Sequence, residues 1–305
     1  MDKHAYLIMA YRQFDVLEKI LCILDDERND FYIHIDKKAA DFDPEVIKGA
    51  VKKSEIHFLP RRNISWGAYN SIKCEVDLLG FARKNRKYAY YHLISGADMP
   101  IKTPDEIHSF FEEQSQGREL VHFCTDKADD FTLLRIKHYH HFRNKPRDSR
   151  FYGILRSAAS RIQTIMRVDR TKKANLRFGF GANWFSITDQ LAEYVVNNEA
   201  FIEKHFKSSS CADEMFLQTL VLNSEFVDRL YQSDLKNPDY SSIMRLIDWK
   251  RGEPYTFKKE DFDELVSSKM LFARKFDSEL YPEIIDMIFE TVMKKKEHSD
   301  AVRTR

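Results

Sequence analysis

Glu214 stands where a carboxylate can do chemistry. It closes the run Ser208-Ser209-Ser210-Cys211-Ala212-Asp213-Glu214, in which small polar residues lead into two adjacent acids. Met215-Phe216-Leu217-Gln218-Thr219-Leu220 follows, with Phe216 and Leu220 one helical turn apart on a face suited to a core. The pattern predicts a helix over about 211–223. Ser210 would cap it, with Asp213 three residues on, a capping box built with the shorter acid. Two roles are open to the acids. Both can complement a helix dipole, as first-turn carboxylates commonly do. Alternatively, Glu214 projects into a cleft and acts as a general base.

A second group of residues could hold an anion. Arg274-Lys275 lies inside Leu271-Phe272-Ala273-Arg274-Lys275-Phe276, an apolar run without helical spacing, which favours fixed side chains. Arginine and lysine can neutralise a leaving diphosphate without a metal, arginine through paired hydrogen bonds. Arg245 and Arg251 flank Trp249 and are weaker candidates for that role. The familiar phosphate loops are missing: there is no G-x-x-x-x-G-K-[ST] and no G-x-G-x-x-G after a strand. The pairs Asp41-Phe42-Asp43 and Asp261-Phe262-Asp263 fall where helices begin, so capping explains them better than metal binding. Gly96-Ala97-Asp98 offers one acid, fewer oxygens than a hard cation usually takes. His138-Tyr139-His140-His141 sends its imidazoles to different faces of any helix, with no ligand-spaced carboxylate or thiol nearby. No metal or cofactor site is therefore expected.

The elements that position these residues alternate. Strands are predicted at 6–10, 31–36, 55–59 and 88–95, with helices at about 13–26, from Pro44, at 68–84 and from Pro104. Such alternation predicts an α/β layer with a mainly parallel central sheet flanked by helices. Ligands in such sheets bind beyond the carboxyl ends of the strands, which places Asp36 and Asp98 near a crevice. Strands at 120–124 and 177–187, helices near 188–197 and 199–206, and a last helix at about 281–295 complete the chain. Residues 1–296 are read as one domain, with a nucleotide-binding half to about 118 and a catalytic and acceptor half from 119. Residues 297–305 are read as a frayed polar tail.

Composition narrows the function class. The 305 residues carry a formal net charge of +1, which disfavours general nucleic-acid binding. The cysteines, Cys22, Cys74, Cys124 and Cys211, are too widely spaced for a zinc or redox motif and read as buried free thiols. No leader is evident before the first strand, and no apolar run approaches the roughly 20 residues of a membrane span, so a cytoplasmic protein is expected.

Several stretches together carry a family resemblance. They are Tyr6-Leu7-Ile8, Tyr32-Ile33-His34-Ile35-Asp36-Lys37, Ser65-Trp66-Gly67, His92 through Lys102, Asp213-Glu214 and Leu271 through Phe276. In this order, over about residues 4–280, they resemble the core-2/I-branching β-1,6-N-acetylglucosaminyltransferases, a family that includes the peptide xylosyltransferases. The resemblance implies a GT-A-like fold and an inverting, metal-independent transfer from a UDP-sugar donor, UDP-GlcNAc in the first instance, to a glycan hydroxyl. It makes Glu214 the catalytic base, Lys275 a diphosphate ligand and Asp36 a nucleoside contact. Cys211-Ala212 stand where animal members have Ser-Pro, and Arg251 or Arg245 would replace an arginine partner of Lys275. The animal members' anchor and disulfide-rich domain have no counterpart here, so a bacterial relative building surface polysaccharide is expected, with a lipid-linked glycan among its acceptors. A non-catalytic nucleotide- or glycan-binding protein on a degenerate transferase fold is the alternative.

Residues 135–177 stand apart, with thirteen Lys or Arg against two Asp. Arg150, Arg156, Arg161 and Arg167 interleave with Phe151, Tyr152, Ile154, Leu155, Ile162, Ile165 and Met166. The mixture suits either an amphipathic helix on the inner face of an anionic membrane or a core helix with a solvated basic face.

Overall fold

The computed structural model describes residues 3–303 except 125–128, 147, 173, 233–234 and 236–239. The chain opens with β1 (His4–Ala10), α1 (Phe14–Leu24), β2 (Asn29–Ile35), α2 (Pro44–Gly49), β3 (Glu55–Phe58), α3 (Tyr69–Asn85) and β4 (Tyr90–Ser95). β1 and β2 are buried along almost their whole length because both of their faces are covered. β5 (Asp98–Pro100) and α4 (Pro104–Ser109) follow, the latter opened by a Thr103–Glu106 capping box. The Asp43 carboxylate accepts from the Glu45 amide at the start of α2, the capping role expected of it.

The second half contains β6 (Leu120–Val121), α5 (Asp130–Lys137), α6 (Arg150–Ile165), β7 (Phe185–Thr188), α7 (Asp189–Asn197), α8 (Glu199–Phe206) and α9 (Phe216–Leu222). It ends with β8 (Arg245–Ile247), α10 (Phe262–Ser267), β9 (Phe272–Arg274) and α11 (Pro282–Arg303). The strand expected across 177–187 shrinks to β7. Its glycines approach other elements too closely for a ladder: a Cβ on Gly181 would sit 1.8 Å from the His122 carbonyl oxygen. The tail expected from Glu297 is instead helical as far as Arg303, and Lys53 pairs with Asp300 at 2.8 Å.

The central sheet has the order β3-β2-β1-β4-β7-β6. The first four strands are parallel, and β7 and β6 add antiparallel edges. A small second sheet, β5-β9-β8, lies at the carboxyl end of β4. The two sequence halves therefore share both sheets: β7 of the second pairs with β4 of the first, and β9 pairs with β5. Apolar side chains fill both faces of the central sheet. The order reverses between β1 and β4, the place where such sheets open a ligand crevice beyond their strand ends.

Candidate active site

Basic side chains gather at that reversal. β9 brings Arg274 antiparallel to Asp98, and Arg274 Nη1 donates to the Asp98 carboxylate at 2.7 Å and to Ser95 Oγ at 2.8 Å. Asp98 is buried and also accepts from the Ser95 amide at 2.7 Å. Arg12, just past β1, pairs with Asp277 at 3.0 Å, and the Gln13 amide reaches the same carboxylate at 2.5 Å. Among the described residues, two of these cations have no carboxylate partner. Lys275 has no ion pair among the described residues; partial burial, then Arg12 and Arg274, lowers its ammonium pKa. Arg245 is 2% exposed, and burial pushes its guanidinium down to about 10. Its Nη2 donates to the Leu93 carbonyl at 2.9 Å, while Nε and Nη1 have no partner among the described residues. The Trp184 ring lies 4.6 Å from the Arg274 guanidinium and 6.0 Å from that of Arg245.

Glu214 sits on the opposite part of this region, in a setting different from the one expected. Cys211 takes a left-handed conformation, φ 48°, and Ser210 caps nothing. A 3₁₀ turn, Ala212–Glu214, carries the acids, and the α-helix begins only at Phe216. The cause is long-range: the Cys211 amide donates to the Gly67 carbonyl at 2.8 Å, which holds the turn against the loop before α3. Gly67 has φ +68°, and an added Cβ would meet Cys211 Sγ at 2.6 Å, so this position requires glycine. The turn leaves the Glu214 side chain 38% exposed and ion-paired with Arg135 at 2.5 Å. Arg135 also lies over the Phe180 ring at 5.1 Å. Asp213 faces inward, and burial together with Glu214 raises its carboxyl to about 6. Beside it lies Glu75 of α3, fully buried, its carboxyl pKa raised by burial and Asp213.

A short strip of backbone joins the two groups. The Gly181 amide donates to the Glu214 carbonyl at 2.9 Å, and Gln218 Nε2 donates to the Ala182 carbonyl at 2.7 Å. Trp184, two residues further on, is the ring beneath Arg274 and Arg245. The base candidate and the cation group are thus joined through one backbone segment, 181–184.

The other expected residues lie elsewhere or are already engaged. The Asp36 carboxylate is buried and accepts from the Lys38 and Ile64 amides at 2.9 and 3.1 Å, tying β2 to the loop that carries Trp66. Arg251 pairs with Asp248, with Asp261 at 2.7 Å and with Glu264 at 2.7 Å, and packs over Tyr255, whose carbonyl accepts from the Lys275 amide at 3.3 Å. Three carboxylates in one network engage its guanidinium. Asp261 belongs to that network. The imidazoles at 138–141 stack and bond to the backbone: His140 Nε2 lies 3.1 Å from the Leu134 carbonyl, and the His141 ring stacks on Tyr139. No three His, Cys, Asp or Glu side chains are grouped as metal ligands among the described residues. The four cysteines are free, but only Cys74 is buried.

Arg135, Arg12, Asp277 and Trp184 carry no signal in the sequence. Each acts across a gap too long for local pattern, as with Arg135 and Glu214, 79 positions apart.

Comparison with known proteins identifies the family through a family model. Residues 4–270 match the model of the Core-2/I-Branching enzyme family. Xylosyltransferase 2 of Canis lupus familiaris is 24% identical over 313 residues, covering 93% of this chain and 33% of that protein. Xylosyltransferase sqv-6 of Caenorhabditis briggsae is 25% identical over 283 residues, covering 84% and 32%. The chain thus spans about a third of the length of the curated relatives it matches. Among solved structures, apo mouse xyloside xylosyltransferase 1 aligns over 90% of this chain and 97% of its own, with 6% identity and a TM-score of 0.35.

Proposed function

The chain belongs to the Core-2/I-Branching enzyme family, and from that membership we propose that it is an inverting glycosyltransferase, moving a sugar from a UDP-sugar to a hydroxyl of a glycan. The observation that carries the reading is the positive charge of Lys275 and Arg245 at the sheet reversal, without a carboxylate partner among the described residues, joined through the 181–184 backbone to a half-buried glutamate that is ion-paired with Arg135.

In this reading the donor diphosphate lies against Lys275, Arg274 and Arg245. Glu214 takes the proton of the acceptor hydroxyl as its oxygen bonds to the anomeric carbon. The bond from that carbon to the diphosphate oxygen breaks on the opposite face, and UDP leaves with the electron pair. One displacement inverts the centre, so no enzyme nucleophile is needed. Arg135 positions the Glu214 carboxylate through their ion pair, and the cations meet the charge that develops on UDP, a task that could otherwise fall to a metal. The Asp98 carboxylate, neutralised by Arg274, supports the cation group.

The donor is UDP-GlcNAc or, as a second reading favoured by the relatives' names, UDP-xylose. A lipid-linked glycan of a bacterial surface polysaccharide, met at the inner face of the membrane, is the proposed acceptor. The test is UDP release over a panel of UDP-sugars, with and without EDTA. Release from one donor, unchanged by EDTA, is expected and names the sugar. Release from none makes the chain a binding protein. Activity lost in EDTA and restored by Mn²⁺ overturns the metal-independent reading.

A further inference from the structure

Helix α6 is left unused by the proposed reaction, and none of its sixteen residues is buried. Its inner side is held by polar contacts. Arg156 Nη2 donates to the carbonyls of Lys145 and Pro146 at 2.9 and 2.8 Å, and Gln163 bonds the Tyr139 amide and carbonyl at 2.7 and 3.0 Å. Arg156, expected on the outer basic face, is thus a structural strut. The outer side is apolar: Phe151 is 65% exposed, Ile154 69%, Ile162 55%, Ile165 81% and the adjoining Met166 70%. With Ala158, positions 151, 154, 162 and 165 follow one helical stripe. Arg150, Arg161 and Arg167 are exposed on and around it, and no acid occurs from 149 to 168. The core-helix alternative is therefore overturned.

We infer that α6 is a docking surface for an anionic lipid bilayer. An apolar stripe with basic neighbours and no acids matches a bilayer interface on two counts: acyl chains accept the stripe, and anionic headgroups accept the arginines. Nucleic acid would leave the isoleucines in water. A second copy meeting the same face would bring like charges together. The helix also lies close to the crevice. The His140 amide, in the segment that α6 packs on, donates to the Ser208 carbonyl at 2.8 Å, and the Ser210 amide donates to the Arg135 carbonyl at 2.9 Å. Docking is independent of the reaction, whereas its use, bringing the Glu214 crevice to a lipid-linked acceptor, rests on the transferase reading.

The test is co-sedimentation with phosphatidylcholine vesicles, with and without phosphatidylglycerol. The protein is expected to sediment with the anionic vesicles at low salt and to leave them at high salt. Arg150→Glu, Arg161→Glu and Arg167→Glu should each weaken partition about five-fold or more. Ile154→Ser with Ile165→Ser should weaken it while keeping the salt dependence. All variants should keep wild-type UDP binding, which certifies their folding. Failure to bind anionic vesicles, or equal binding to pure phosphatidylcholine, overturns the inference. So does a wild-type dimer that the isoleucine pair dissociates while vesicles are ignored, which would assign the stripe to a second copy. Vesicle binding without UDP release from any donor leaves the docking standing and removes only the transferase reading.

Discussion

Helices α1 and α6 carry the same kind of amphipathic pattern and end in opposite environments. In α1, Val16, Leu17, Ile20, Leu21, Ile23 and Leu24 are all buried against the sheet and α11. In α6, Phe151, Ile154, Ile162 and Ile165 hold equivalent spacing and stay exposed. The pattern on a helix says that one face is apolar; what covers that face is decided by the rest of the chain. α1 is the crossover between two parallel strands, so chain connectivity presses it onto the sheet. α6 follows α5, outside any crossover, and is fastened through arginine and glutamine bonds to carbonyls. The same contrast separates the two sides of the crevice. The cations rest on strands of packed sheets, whereas Glu214 rests on a 3₁₀ turn held by loop contacts.

Truncation should expose the difference most strongly. Ile20→Ala is expected to cost about 2–5 kcal/mol in urea unfolding, the range for a fully buried aliphatic residue; a cost below about 1 kcal/mol would mean that α1 is not anchored as described.

Acid should come next. His4 and His92 lie on β1 and β4, with His92 Nε2 3.1 Å from His4 Nδ1, and His108, Arg28 and Arg245 nearby. Burial holds both imidazoles well below their ordinary 6.5, so they are neutral in the fold. Unfolded, they protonate near pH 6.5. Their cost is therefore absent above that pH and grows as pH falls below it, by up to about 1.4 kcal/mol per unit for each group. Urea midpoints measured from pH 8 to 5 should fall below about 6.5, and the fall should shrink in His92→Phe. A flat profile would contradict a buried neutral cluster.

The smallest effect belongs to α6. Ile165→Ser should change stability by no more than about 0.5 kcal/mol. A loss comparable to that of Ile20→Ala would show that something in the chain covers the stripe.

What the sequence made legible follows the same division. The four parallel strands and α1 to α4 were readable because apolar runs, Asp43-Pro44 and Thr103-Pro104 are local signals. Glu214, Arg274 and Lys275 were legible as candidates because each sits in a short run with a distinctive local pattern. Their partners were not. Arg135 meets Glu214 only through the fold, and Arg251, plausible beside Trp249, is claimed by Asp248, Asp261 and Glu264. The helix expected from 211 starts late because Gly67, far back in the chain, takes the Cys211 amide.

The division of labour across the crevice can be tested with one variant. In Glu214→Gln, turnover with the donor that the wild type uses should fall about 10²–10⁴-fold, while UDP affinity stays within a factor of about two, since uniform binding is untouched. Near-normal turnover in a protein that still binds UDP would show that Glu214 is not the base.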